Sequence, residues 1–197
     1  MQSITAVFGR VRCGAFYWRC QASLPWKITS AVLMAGLIGV MAQVRIPFFP
    51  VPFTGQTFGV IMAGVLLGRR WGGVSMLIYA ALGLAGVPWF TGAMSGFTPT
   101  SGYLLGFVFA ALFLGYFVDR KPEYCSFSKM FGLMLFASLV LVYLPGVLWL
   151  GFWMHNTGGT ASITAVFVAG VLPFIAGDVL KSALAAALAR FALPNRL

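Results

Sequence analysis

Asp178 and Lys181 are the residues of this sequence best placed to do chemistry. They lie in Phe174-Ile-Ala-Gly-Asp-Val-Leu-Lys-Ser-Ala-Leu, inside an apolar run near the C-terminus. A spacing of three puts both side chains on one face of a helix. Each ionised group at the centre of a membrane helix costs roughly 2.5–3.5 kcal/mol. Pairing lowers that cost but seldom makes the pair better than apolar residues. The pair therefore either fastens its helix to the bundle as a salt bridge or is kept to hold a guest molecule, and intramembrane ionisable residues are functional by default. Two neutral polar clusters join it as candidates. Pro50-Val-Pro-Phe-Thr-Gly-Gln-Thr contains Thr54 and Gln56, and the stretch from Phe90 to Tyr103 contains Thr100 and Ser101 among Gly and Pro. Hydroxyls, one amide and aromatic rings in such a setting suit a small, partly apolar ligand, or else simply connect helices.

The rest of the inventory excludes several classes. His155 is the only histidine, and no His, Cys, Asp and Glu share metal-ligand spacing, so no metal or other cofactor is expected. One histidine and three acids leave little for triad or general acid–base catalysis, so an enzyme is not expected. No phosphate-binding loop of the G-x-x-x-x-G-K-[ST] type occurs, and this chain is not expected to hydrolyse ATP. The internal inverted repeat of many secondary transporters is missing too.

The elements that must position these residues are membrane helices. Of 197 residues, 60% are hydrophobic and only 8% charged, against about a quarter charged in soluble domains. Six spans are expected: 28–44, 57–68, 71–87, 101–118, 130–148 and 172–191, with 149–171 ambiguous and Pro173 in the first turn of the last helix. Residues 1–27 are expected to form a basic interfacial arm and 28–197 the membrane domain. Arg69-Arg70 stops the second span. The net charge of +10 would suggest nucleic acid in a soluble protein. Here eleven of the thirteen cations fall on the side that also holds both termini, with Arg45 opposite and Lys181 inside a helix. That asymmetry predicts cytoplasmic N- and C-termini, a multi-pass protein of the cell membrane with lipid contacts, and no nucleic-acid partner. Cys13, Cys20 and Cys125 fall on the same side and are expected to stay reduced. Small residues recur at spacing four, as in Ala31, Ala35 and Gly39, in Gly102, Gly106 and Ala110, and in Ala183 and Ala187. Such stripes pack helices within a bundle or dock a second membrane subunit.

Four stretches resemble the BioY family, the biotin-binding S components of energy-coupling factor (ECF) transporters. They are the run from Ile46 to Gly68, Leu82-Gly-Leu-Ala-Gly-Val-Pro, Pro99-Thr-Ser-Gly-Tyr-Leu-Leu-Gly-Phe, and Gly170-Val-Leu-Pro-Phe-Ile-Ala-Gly-Asp-Val-Leu-Lys. The resemblance implies an all-α, six-helix substrate-capture subunit that works with a transmembrane coupling protein and cytoplasmic ATPases. It implies docking of the coupling protein on Ala31-x-x-x-Ala35, with Gly39 continuing that stripe. With biotin as guest, Asp178 is assigned to the ureido N–H edge, and Lys181 keeps Asp178 ionised and reaches the ureido oxygen. Thr54, Gln56, Thr100, Ser101 and Tyr103 become hydrogen-bonding or stacking groups, and Trp89 and Phe90 cover the sulfur ring. Arg45 meets the valerate carboxylate, or Arg45 and Lys181 exchange roles. Another vitamin and a non-transporting membrane scaffold stay open as alternatives. The sequence departs from the family pattern at Gly55, at Ala176 before Gly177-Asp178, in Thr98-Pro-Thr-Ser101, and in a short loop after Pro88 without the paired glycines.

Overall fold

The computed structural model describes residues 21–47, 50–120, 126–157 and 162–192. Helix α1 spans Leu24–Gln43 and is followed by a two-residue hairpin, β1 (Arg45–Ile46) and β2 (Phe53–Thr54). Then come α2 (Gln56–Leu84), α3 (Ser101–Arg120) and α4 (Phe127–Phe136). A π-helical turn over Ala137–Val142 joins α4 to α5 (Tyr143–Asn156). Helix α6 (Ile163–Gly170), a 3-10 turn at Leu172–Phe174 and α7 (Ile175–Ala192) complete the chain. Among the described residues, five helical stretches are long and apolar enough to cross a membrane. Because α1 already starts at Leu24, the boundary expected at 27/28 falls within its first turns. The proposed interfacial arm lies mostly outside the described residues, as do Cys13, Cys20 and Cys125.

The 29-residue α2 is not one straight rod. Gly68 has φ 76° and ψ −176°, a conformation essentially reserved for glycine. A continuous helix would separate Gln56 from Tyr79 by about 35 Å at about 1.5 Å per residue. Their side chains instead meet at 2.7 Å, so the chain doubles back at Gly68 and lays 69–84 against 56–67. The contact is tight: a Cβ on Gly72 would sit 2.9 Å from the Ala63 carbonyl oxygen. The break expected from Arg69-Arg70 is real, but glycine geometry makes it, one residue earlier.

Helix α3 runs through the centre. Its Gly102, Gly106 and Ala110 are buried. A Cβ on Gly106 would press on the Val142 backbone, at 2.5 Å from its Cα, so this stripe packs the bundle itself. In α7 the buried small residues are Ser182, Ala185, Ala186 and Ala189, whereas the expected Ala183 and Ala187 are only half-buried. The ambiguous stretch resolves into the end of α5 and all of α6. Pro173 lies in the 3-10 turn between α6 and α7, because the chain leaves helical geometry at Val171, φ −130°.

The π-turn has an identifiable neighbour. Pro145 carries no N–H for the carbonyl of Leu141, four residues earlier, and local widening of a helix is one way such a gap is absorbed. The turn aims Val142 and Tyr143 into the interior, where both are buried.

Candidate ligand-binding site

A cavity of about 570 Å³, counting its open mouth, lies between the β1–β2 hairpin, the start of α2, the segment after Trp89, and α3, α5 and α7. One wall is charged. Asp178, 2% exposed, sits in the first turn of α7, where the positive end of the helix dipole favours a carboxylate. Its Oδ1 accepts from Lys181 Nζ at 2.7 Å, and its Oδ2 accepts from Tyr143 Oη at 2.5 Å. The Lys181 ammonium also lies 3.8 Å from the centre of the Phe53 ring, a cation–π arrangement. Phe53 in turn stacks on Phe174, with ring centres 6.2 Å apart.

The opposite wall is neutral and centred on Gln56. Its Oε1 accepts from Thr54 Oγ1 at 2.9 Å and from Thr91 Oγ1 at 3.0 Å. Its Nε2 donates to Tyr79 Oη at 2.7 Å. This amide is a hub joining the hairpin, both arms of α2 and the segment after Trp89. Between the two walls the lining is mostly apolar and aromatic, including Phe90, Phe107 and Phe174. Such a site accepts N–H donors at the carboxylate, donates to a carbonyl or second anion from the ammonium, and wraps an apolar body in rings.

A family model described as the BioY family matches residues 19–196. The chain belongs to the BioY family. It is 50% identical over 139 residues to a probable biotin transporter BioY of Methanothermobacter thermautotrophicus, covering 68% of this chain and 88% of that one. It is 33% identical over 170 residues to the biotin transporter BioY of Rhizobium etli, covering 82% and 87%. Among solved structures, it matches the S-component for biotin from an ECF-type ABC transporter with a TM-score of 0.71 and 27% identity, covering 83% of this chain and 88% of that chain.

In this BioY-family chain the cavity gathers seven of the residues expected from the sequence: Asp178, Lys181, Thr54, Gln56, Phe90, Thr100 and Tyr103. Three stand elsewhere. Ser101 is buried and accepts the Thr98 N–H at 2.8 Å, so it caps the entry to α3. Trp89 packs on Tyr79, with ring centres 5.3 Å apart, and donates to the Tyr79 carbonyl at 3.1 Å. It supports the wall from behind. The Arg45 guanidinium lies against Gly92 on the outer side of the same segment. Tyr103 lines the site with its ring, while its hydroxyl donates to the Gly170 carbonyl at 2.8 Å. His155 is exposed in the last turn of α5. Among the described residues no cluster of metal-ligand type occurs.

Tyr143, Thr91 and Thr57 are the polar lining residues that sequence reasoning missed. A hydroxyl in the middle of an apolar span was the available signal for Tyr143. Thr91 carries no signal until the fold brings it to Gln56. The small stripe of α1 also differs from expectation. Ala31, Ala35 and Gly39 are buried within the chain, against partners such as Trp89, which would lie 3.3 Å from a Cβ on Gly39. The face that α1 exposes carries Val32, Leu33, Leu37 and Val40 instead. The stripe assigned to a coupling protein is turned inward here, because small residues are needed where Trp89 and the first arm of α2 press closest.

Proposed function

We propose that this chain is the substrate-capture subunit of a biotin uptake transporter. It binds biotin from the outer side in the cavity and delivers it inward with a transmembrane coupling protein and cytoplasmic ATPases. The observation that carries this reading is the Asp178–Lys181–Tyr143 cluster at one end of an aromatic cavity in a BioY-family chain. A carboxylate answers the two ureido N–H groups of biotin, an ammonium answers the ureido oxygen, and the rings of Phe53, Phe90 and Phe174 answer its apolar fused rings. The names of the relatives, biotin transporters, support the same ligand. Transport rather than turnover is the activity this implies.

Six crossings result when the arms 56–67 and 69–84 are counted separately. Support comes from the Arg69 N–H, which donates to Asp119 Oδ2 at 2.9 Å and so puts the α2 reversal and the end of α3 at one end of the bundle. Lys129 and Arg190 mark the same end, while Arg45 and the cavity mark the other. The excess of cations makes the first end cytoplasmic, together with both termini. Calorimetry on the purified full chain tests the ligand. Biotin should bind in the nanomolar range, unlabelled thiamine and riboflavin should fail to displace it, and Asp178→Ala should lose most of the affinity. Undiminished binding by that variant would refute the assigned site.

A further inference from the structure

Gln43, the last residue of α1, holds the segment after Trp89 by its backbone. Its Nε2 donates to the Phe90 carbonyl at 3.0 Å and lies 3.3 Å from the Trp89 carbonyl, and its Oε1 accepts the Ala93 N–H at 3.1 Å. The segment is itself a closed turn, with the Phe90 N–H on the Met94 carbonyl at 3.0 Å. Ala93 adopts φ 56°, a conformation uncommon for a residue other than glycine. The turn has two sides. Phe90 and Thr91 are buried and line the cavity, while Ala93 and Met94 are exposed. Gln43 grips the outer side, and Gln56 holds the inner side through Thr91. Behind both, the Trp89 ring seats directly on Gly39, one helical turn before Gln43.

We infer that Gln43 is a positioning residue that latches the turn 90–94 to the end of α1, keeps Phe90 and Thr91 in ligand-binding position, and thereby sets how fast the ligand leaves. The inference rests on the reading of the cavity as the biotin site. One side-chain amide satisfies both a carbonyl and an N–H of a turn that has few bonds of its own, so its removal frees the wall to move. Preorganisation of this kind acts mainly on dissociation. It also makes α1 and the cavity wall one mechanical unit, because a shift of α1 pulls the same amide that holds Phe90.

The test uses the purified full chain in wild-type, Gln43→Leu and Gln43→Glu forms. Gln43→Leu keeps the bulk of the side chain and loses every hydrogen bond. Gln43→Glu keeps the acceptor for Ala93 and sets a carboxylate against the carbonyls of Gly39, Trp89 and Phe90. Biotin association and dissociation are followed by stopped flow, and exchange of the Ala93 amide is followed without ligand. Both variants should release biotin about tenfold faster, the effect of one lost hydrogen bond, with association within about twofold of wild type. The Ala93 amide should exchange faster in Gln43→Leu than in Gln43→Glu, which still accepts it. Unchanged dissociation in Gln43→Leu overturns the latch, as does equal slowing of association and loss of thermal stability. Failure of the wild type to bind biotin would instead sink the cavity reading, and the amide exchange then decides the latch by itself.

Discussion

The two walls of the cavity hold their polar groups by opposite means. On the α5–α7 side, Asp178, Lys181 and Tyr143 stand on helices, and a buried carboxylate lies beside a partly buried ammonium. On the other side, Thr54, Gln56 and Thr91 are neutral and come from a hairpin, a helix start and a turn. The helical wall owes its position to backbone geometry and needs few partners; its cost is electrostatic. The loop wall has almost no charge to desolvate, but it has no helix to fix it either, so an amide hub must knit it together. Charge is concentrated where the scaffold is stiff, and neutral hydrogen bonding is used where the chain is irregular.

Removing charge from the stiff wall should have the largest effect. Asp178→Ala should lower biotin affinity at least about 100-fold by calorimetry and reduce stability by about 3–5 kcal/mol, because the Lys181 ammonium is left unpaired. Asp178→Asn combined with Lys181→Met should recover stability relative to Lys181→Met alone, since neither buried charge remains, while binding stays lost. If binding returned with stability, the pair would be a fastener and the contrast between the walls would vanish.

Gln56→Leu breaks the loop wall at its hub. It leaves the hydroxyls of Thr54, Thr91 and Tyr79 short of their partner, and thermal or denaturant unfolding should show a loss of about 3 kcal/mol. Gly68→Ala acts on the same wall from a distance by straining the reversal that brings Tyr79 back to Gln56, with an expected loss of about 1–3 kcal/mol in the same measurement. Tyr143→Phe is the mildest. It removes one hydrogen bond to Asp178, so affinity should fall about tenfold with stability within about 1 kcal/mol of wild type. A larger loss of stability than of affinity there would show that the stiff wall also depends on its hydrogen bonds.

The same contrast explains how much was legible in the sequence. Asp178 and Lys181 announced themselves because charge in an apolar run is expensive and needs a reason. That the chain is built of apolar helices was legible from composition, and a break in α2 from Arg69-Arg70, though not that Gly68 makes it. Thr91 and the part played by Gln43 were not, since hydroxyls and amides are ordinary in loops and acquire meaning only from contacts about 35 and 47–50 residues away along the chain. The inward turn of Ala31 and Ala35 was hidden for a related reason. A stripe of small residues records close approach, not which neighbour approaches. The place of Arg45 was not legible either: its lone charge carried no sign that the hairpin, with Arg45 opposite Thr54, sets it against Gly92.

The wound-out turn at Ala137–Val142 sets the phase of every helical residue beyond it. Each residue added to or taken from an α-helix rotates the downstream side chains by about 100°. Shortening this stretch by one residue, so that it rewound as ordinary helix, would swing the Tyr143 hydroxyl off Asp178 and toward lipid, with no change in the composition of the cavity. The length of that stretch is therefore as much a determinant of what the pocket accepts as the identity of any side chain that touches the guest.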